Sequence, residues 1–172
     1  MAQLEFCKYE KKGHVGYVTI TRPEVFNALH APANLELNGV WDDFAADEEM
    51  WVGVLTGEGD RAFSAGNDLK YTALMSRMPE NERPRLGFPA GGFGGITSVY
   101  DLFKPMIARV NGYALGGGLE MALACDIIIA ADHAQIGLPE PRRGLIAGAM
   151  GVHRLPRQLP LKVAMGYMLT GR

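Results

Sequence analysis

Cysteine is scarce in this sequence, and its two copies, Cys7 and Cys125, stand far apart in no metal-ligating spacing. Their scarcity argues against a disulfide-rich secreted scaffold and a cysteine zinc site, and it favours a reduced, intracellular and cytoplasmic protein. The segment MAQLEFCKYEKKGH (1–14) lacks the apolar region of a signal peptide. Positive charge is not in excess, because the formal net charge is -2, so the overall charge gives no indication of nucleic-acid binding.

Long hydrophobic runs are also missing. The run IIIAA (127–131) is bracketed by Asp126 and Asp132 and is far too short to span a bilayer, so we expect no membrane partner. The composition, 48% hydrophobic and 21% charged over 172 residues, is typical of one soluble globular domain. We therefore treat 1–172 as a single domain.

The hydrophobic patterns alternate between strand and helix. They predict strands over 14–21, 51–60, 105–112 and 126–132, helices over 31–49, 116–126 and 159–172, and a strand, glycine turn and helix within 61–78. This alternation predicts an α/β fold with largely parallel sheets. The Pro- and Gly-rich segment 79–95 is interpreted as a long mobile loop, of a length typical of functional lids. The last helix shows apolar residues and no cap after it.

Two stretches share one design, in which a buried strand runs into glycine and then into a helix start. They are AFSAGNDLK (62–70) and VNGYALGGGLE (110–120). Each offers free backbone N–H groups at a helix N-terminus, and two such groups converging on one point would form an oxyanion hole. The glycines alone favour a purely structural explanation, close packing of helix on sheet. A phosphate-binding loop is disfavoured, because neither stretch matches a nucleotide-binding glycine motif.

Two carboxylates stand out near these stretches. Glu120 opens an apolar helix, and Glu140 lies between Pro139 and Pro141. Spacing leaves several roles open: Glu120 can complement the helix dipole, Glu140 can be an exposed acid pairing with neighbouring arginines, or the two can form a catalytic pair. The histidines are isolated and show no ligand spacing, and Ser64 does not lie in a G-x-S-x-G motif.

Taken together, four stretches resemble the crotonase superfamily, the enoyl-CoA hydratase/isomerase family. They occur in the order of the family and cover nearly the whole chain: ITRPEVFNAL (20–29), AFSAGNDLK (62–70), KPMIARVNGYALGGGLEMALACDIIIAAD (104–132) and IGLPEPRRGLIAGAMGVHRLPR (136–157). The resemblance implies a spiral of β-β-α turns, an acyl-CoA thioester substrate and no metal or redox cofactor. It also implies a homotrimer, or a hexamer built as a dimer of trimers.

The resemblance also assigns roles to residues. The backbone N–H groups of Asn67 and Gly117 match the oxyanion-hole donors, and Glu120 and Glu140 match the two hydratase glutamates. One glutamate would act as base towards the water that attacks C3, while the other delivers a proton to C2, a reversible syn addition. The surroundings of the two should separate their proton affinities. The implied substrate-binding residues are Ala28, Ala65, Asn67, Asp68, Leu69, Lys70, Gly116 and Gly117.

The chain departs from the family pattern at two places. Met150 stands in GAMG (148–151), where many members have glycine, and is expected to reshape the wall near Glu140. Members also continue for several helices beyond the position of Arg172, so the C-terminal helical region is expected to be absent here. The acyl group is expected to contact the 71–103 region, whose candidates are Met75, Phe88, Phe93 and Tyr100.

The reading with most support is an enoyl-CoA hydratase. The alternatives are an enoyl-CoA isomerase, a carnitinyl-CoA-type dehydratase of the same family, and a non-catalytic acyl-CoA-binding fragment.

Overall fold

The computed structural model describes residues 3–79, 81, 88–99 and 101–172. Within these ranges the strands are β1 (Cys7–Lys12), β2 (Val15–Ile20), β3 (Val52–Gly57), β4 (Ala62–Ser64), β5 (Met106–Val110), β6 (Tyr113–Leu115), β7 (Ile127–Ala130) and β8 (Gln135–Gly137). The helices are α1 (Ala31–Ala46), α2 (Leu69–Ser76), α3 (Gly117–Ala124), α4 (Gly151–Gln158) and α5 (Leu161–Thr170).

The strands form two sheets. The larger has the order β1-β2-β3-β5-β7, and the smaller has the order β4-β6-β8. Every strand pair is parallel except the β1–β2 hairpin, which is antiparallel. This confirms the expected α/β class with largely parallel sheets. Because β4 and β6 are parallel neighbours, their carboxyl ends meet at one edge, and α2 and α3 begin there.

The core lies between the larger sheet and α1. Val18 and Ile20 of β2 and Leu55 of β3 are fully buried, and they belong to the same cluster as Leu37 and Phe44 of α1. Burying a Leu, Ile or Phe side chain stabilises a fold by roughly 1.5–3 kcal/mol. The core therefore fixes β2 and β3, and β3 contacts β4, the strand that leads into the first glycine turn of the site.

Three elements were not anticipated from the sequence. β1 is highly charged, with the pattern CKYEKK, and only Cys7 is fully buried in it. β6 is only three residues long. α4 contains an internal proline, Pro156, and a mostly polar sequence, and both features disfavour the prediction of a helix.

Two local expectations need correction. The segment 79–95 is not a loop throughout, because Phe93–Gly95 form a buried 3-10 turn against α1; residues 80 and 82–87 of this segment lie outside the described residues. The last helix is capped, because Gly171 adopts a left-handed conformation and donates its N–H to the carbonyl of Tyr167 at 2.8 Å.

Apolar side chains remain exposed on β7 and α5. They include Ile127, Ile128 and Ile129 on the strand and Leu161, Tyr167 and Leu169 on the helix. None of the helices within the described ranges combines the length and apolarity that crossing a membrane requires.

Candidate active site

The two strand–glycine–helix connections lie against each other. Gly66 and Gly116 both adopt positive φ, at 86° and 55°, which glycine tolerates without strain. A Cβ atom on Gly66 would lie 2.9 Å from the backbone nitrogen of Gly117 and 2.7 Å from the carbonyl oxygen of Leu115. The hydroxyl of Ser64 shapes the first turn, because it accepts the N–H of Gly66 at 3.1 Å. Only glycine at position 66 allows this close approach.

The backbone N–H groups of Asn67 and Gly117 are unpaired beside this contact. Leu29 forms a parallel bridge with Asn67, using the carbonyl of Gly66 at 2.8 Å and the N–H of Asp68 at 2.9 Å. This pattern points the N–H of Asn67 itself away from Leu29. Gly117 is the first residue of α3, so its N–H has no acceptor within the helix. Within the described residues, neither N–H donates a hydrogen bond.

Glu120 is a buried carboxyl in the first turn of α3, with 3% of its surface exposed. Its Oε1 accepts the N–H of Gly151, at the start of α4, at 2.8 Å. The pKa of Glu120 is raised to about 7, mainly because the carboxyl is buried and in smaller part because of the charge of Glu140. Hydrogen bonds from the Gly151 and Ala149 amides, and the charge of Arg154, oppose this shift in the pKa of Glu120.

Glu140 begins a 3-10 turn, Glu140–Arg143, shortly after β8. A Cβ atom on Gly116 would lie 2.9 Å from Oε1 of Glu140, so this carboxyl lies over the start of α3. Its Oε2 is buried and accepts no hydrogen bond from the described residues. Burial raises the pKa of Glu140, and a hydrogen bond from its own backbone N–H opposes that rise.

The geometry separates the alternatives for Glu140. An exposed loop acid would pair with Arg142 or Arg143, yet no such ion pair occurs among the described residues. Glu140 is half-buried and faces the glycine turn instead. Glu140 therefore lies beside the start of α3, and its charge acts on the Glu120 carboxyl in the first turn of that helix, with burial as the main cause of both raised pKa values.

The remaining residues of the predicted substrate-binding set lie around the start of α2. Ala28 is buried and Ala65 is half-buried, while Asn67, Leu69 and Lys70 are exposed. The amide side chain of Asn67 donates to the hydroxyl of Thr72 at 3.0 Å, so it supports the first turn of α2.

Asp68 stabilises the fold at the start of α2. Its Oδ1 accepts the N–H of Tyr71 at 3.0 Å and caps α2, and its Oδ2 lies 3.1 Å from the guanidinium of Arg22. Burial raises the pKa of Asp68, but the Tyr71 amide and Arg22 outweigh it, so the net pKa is lowered. Its carboxylate is thus already engaged within the protein.

Among the described candidates for the acyl-pocket wall, Phe93 lies against the glycine turn. A Cβ atom on Gly117 would lie 2.6 Å from its Cε1. Phe88 packs edge-on against Phe93 with 5.9 Å between ring centroids. Met75 is buried in α2, and Tyr100 lies outside the described residues.

Sequence reasoning missed the backbone that holds Glu120. Met150 adopts a left-handed conformation with φ of 78°. It lies between Ala149 and Gly151, whose backbone amides both donate hydrogen bonds to the carboxyl of Glu120. The only sequence signal was the glycine-bounded GAMG run before a helix start. Met150 therefore lies in the segment that holds Glu120. Among the described residues, no cluster of three or more His, Cys, Asp or Glu side chains is arranged to hold a metal.

Comparison with known proteins gives a consistent result. The family model described as enoyl-CoA hydratase/isomerase matches residues 10–172. A carnitinyl-CoA dehydratase of Citrobacter koseri is 42% identical over 168 residues, which are 98% of this chain and 62% of that protein. The chain thus spans under two thirds of the length of that relative.

Solved structures agree with the sequence comparison. A carnitinyl-CoA hydratase from Mycobacterium avium superposes with a TM-score of 0.89 at 41% identity, covering 99% of this chain and 63% of that one. An enoyl-CoA hydratase from Mycobacterium tuberculosis H37Rv superposes with a TM-score of 0.83 at 39% identity, covering 97% of this chain and 62% of that one.

Proposed function

The chain belongs to the enoyl-CoA hydratase/isomerase, or crotonase, family, and on that premise we propose that the complete protein is a 2-enoyl-CoA hydratase. It adds water reversibly to the double bond of an acyl-CoA thioester, and water and proton reach the same face. The observation that carries this proposal is that the half-buried Glu140 lies over a glycine turn whose Asn67 and Gly117 N–H groups donate no hydrogen bond within the described residues, and that its charge acts on the buried Glu120.

The oxyanion hole in this proposal consists of the N–H groups of Asn67 and Gly117. The thioester carbonyl oxygen accepts both, and the negative charge that develops there as water attacks is stabilised. Hydration changes no oxidation state, and two fixed N–H dipoles supply the polarisation. We therefore propose that the reaction needs no metal or redox cofactor, and that coenzyme A is part of the substrate.

The glutamates divide the proton transfers. One removes a proton from the water attacking C3, and the other delivers a proton to C2. Glu120, with its pKa raised to about 7, exchanges a proton readily near neutral pH. The unpartnered Oε2 of Glu140 is available to hold the attacking water.

A second candidate is dehydration of a carnitinyl-CoA-type thioester. It is favoured by the 42% identity to a carnitinyl-CoA dehydratase. Dehydration is the reverse of hydration and uses the same pair of carboxyls, so the acyl group separates the two candidates, not the mechanism. An isomerase needs only one carboxyl, and the raised pKa values of both Glu120 and Glu140 favour hydration over that alternative. A non-catalytic acyl-CoA-binding protein would not require either buried carboxyl.

We also propose that the complete protein acts in the cytoplasm as a homotrimer, or as a hexamer made of two trimers. The exposed apolar side chains of β7 and α5 support an assembly that covers them. Both cysteines are free and buried, which suits a reducing compartment. A discrete monomer of the complete protein in light scattering would contradict the assembly.

The test of function uses the complete natural polypeptide that carries these residues. It is assayed with 2-butenoyl-CoA, with a 3-enoyl-CoA and with carnitinyl-CoA. Loss of the enoyl-thioester absorbance with 2-butenoyl-CoA supports the hydratase. Migration of the double bond in the 3-enoyl-CoA without hydration moves the assignment to an isomerase, and turnover of carnitinyl-CoA alone moves it to the dehydratase. Binding of all three without turnover indicates a non-catalytic protein.

A further inference from the structure

The aromatic ring of Phe93 stands directly beside the proposed oxyanion donor. A Cβ atom on Gly117 would lie 2.6 Å from Cε1 and 2.8 Å from Cζ of this ring, so the ring edge touches the Gly117 backbone. Phe93 is 3% exposed, and its neighbour Phe88 is 61% exposed. The side of Gly117 towards which a Cβ atom would point is therefore closed by the buried ring of Phe93, which packs against the exposed ring of Phe88.

Side chains of α1 hold the turn that carries Phe93. The Oδ1 of Asn34 accepts the N–H of Gly94 at 2.6 Å, and the indole of Trp41 donates to the carbonyl of Gly94 at 2.9 Å. Both polar groups of the Gly94 backbone are thus fixed by buried side chains. Gly94 also faces α3, because a Cβ atom at this position would collide with Sδ of Met121. The turn is wedged between two helices, which fixes the position of the ring.

We propose that Phe93 is a specificity-determining residue that excludes acyl groups branched at C2, and that Asn34 and Trp41 are its positioning residues. The inference rests on the proposed function, in which Gly117 binds the thioester oxygen. An oxygen held about 3 Å from that N–H leaves the thioester carbon and C2 within one or two bonds of it. A methyl group on C2 then competes with the ring of Phe93 for the same space.

The experiment measures a ratio within each enzyme. The complete protein is assayed with 2-butenoyl-CoA and with 2-methyl-2-butenoyl-CoA. The ratio is the kcat/KM value for the branched substrate divided by the kcat/KM value for 2-butenoyl-CoA. Loss of folded protein cancels in this ratio. Phe93→Leu is expected to raise the ratio for the branched substrate by roughly 10-fold or more, since one methylene in a pocket changes discrimination by ~10–200-fold. Phe103→Leu is the matched control, because Phe103 is 89% exposed, and its ratio should equal that of the wild type.

A second pair of variants tests the positioning role. Trp41→Phe keeps an aromatic ring in α1 and removes the N–H that holds Gly94. This variant should also raise the ratio, but by a smaller factor than Phe93→Leu does. The kcat for 2-butenoyl-CoA should change by no more than about 3-fold. Trp51→Phe is its control, because Trp51 is 59% exposed and its ring stacks on His14. A purely structural role for Trp41 would lower both kcat/KM values together and leave the ratio unchanged.

The outcomes separate this inference from the function on which it rests. Hydration of 2-butenoyl-CoA by the wild type, with equal ratios for Phe93→Leu and Phe103→Leu, overturns the inference and leaves the hydratase assignment intact. If the wild type turns over neither substrate, calorimetric Kd values for butyryl-CoA and 2-methylbutyryl-CoA replace the kcat/KM values in the ratio. Tighter binding of the branched thioester alone in Phe93→Leu then supports the inference. Failure to bind either thioester contradicts both proposals.

Discussion

The backbone N–H of Gly151 donates a 2.8 Å hydrogen bond to Oε1 of Glu120, across 31 positions of sequence. This bond joins the first residue of α4 to a carboxyl in the first turn of α3. A helix N-terminus favours negative charge, so α4 partly offsets the cost of burying Glu120. The bond therefore orients the carboxyl and allows it to ionise near neutral pH.

The first prediction concerns Gly151→Ala. The new methyl group would lie 2.8 Å from Oε1 of Glu120 and 2.9 Å from Cβ of Ala147, so the carboxyl must move. We expect hydration of 2-butenoyl-CoA to fall at least 10-fold and the free energy of unfolding to fall by about 1–3 kcal/mol. Gly166→Ala in α5 is the control, because no atom lies within 4 Å of its added Cβ. That variant should be as stable as the wild type or more stable, and equal effects of the two substitutions would refute the argument.

The second prediction concerns stability against pH. The pKa of Glu120 is raised from 4.5 to about 7, so the folded protein keeps a proton that the unfolded chain releases. Stability from this group is thus fully present below pH 4.5 and is lost as pH rises towards about 7. Glu120→Gln removes this loss, and its free energy of unfolding relative to wild type should increase by about 3 kcal/mol between pH 4.5 and pH 8. Urea unfolding at both pH values measures it, and a pH-independent difference between the two proteins would contradict it.

The third prediction concerns the oxyanion donors. Gly117→Val places a branched side chain against the ring of Phe93 and the thioester, and should lower kcat by ~10²–10³ or more. Asn67→Ala keeps the backbone N–H and removes only the bond to Thr72, so it should lower kcat by about 10-fold at most. Equal losses in the two variants would show that the Asn67 side chain, and not its backbone, takes part.

The fourth prediction separates two neighbours in the implied substrate-binding segment. Asp68→Ala removes the cap of α2 and leaves Arg22 without its 3.1 Å partner, so the free energy of unfolding should fall by about 1–2 kcal/mol. Lys70→Ala changes an exposed side chain and should leave stability unchanged while weakening the binding of butyryl-CoA. Thermal unfolding and calorimetry measure the two effects. The reverse pattern would mean that Asp68 contacts substrate and Lys70 supports the fold.

The parts predictable from sequence were those with local signals. The stretch 62–70 contains an apolar strand that ends in glycine, and the structure has β4 there, followed by α2. The strand predicted over 105–112 contains β5, and the helix predicted over 116–126 contains α3. The hydrophobic run IIIAA gave β7 for the same reason. The burial of Glu120 was also predictable, because its neighbours in α3 are apolar.

The features that the sequence did not predict depend mostly on contacts between residues that are distant in the chain. The bond from Gly151 to Glu120, and the contact of Phe93 with Gly117, join residues that no local pattern relates. β6 is too short for a periodic signal, and the cap at Gly171 depends on one left-handed residue. The roles of Asn67, Gly117, Glu120 and Glu140 in catalysis stay predictions.

The central claim, that Glu120 and Glu140 act as one unit on the attacking water, is tested most directly by a double-mutant cycle. Hydration of 2-butenoyl-CoA is followed by the loss of enoyl-thioester absorbance in wild type, Glu120→Gln, Glu140→Gln and the double variant of the complete protein. We predict that each single substitution lowers kcat by ~10²–10⁴ and that the double variant is little worse than either single one, because groups that act together are strongly non-additive. Binding of butyryl-CoA should change little in all three variants. Near-wild-type hydration in either single variant would contradict the two-glutamate mechanism.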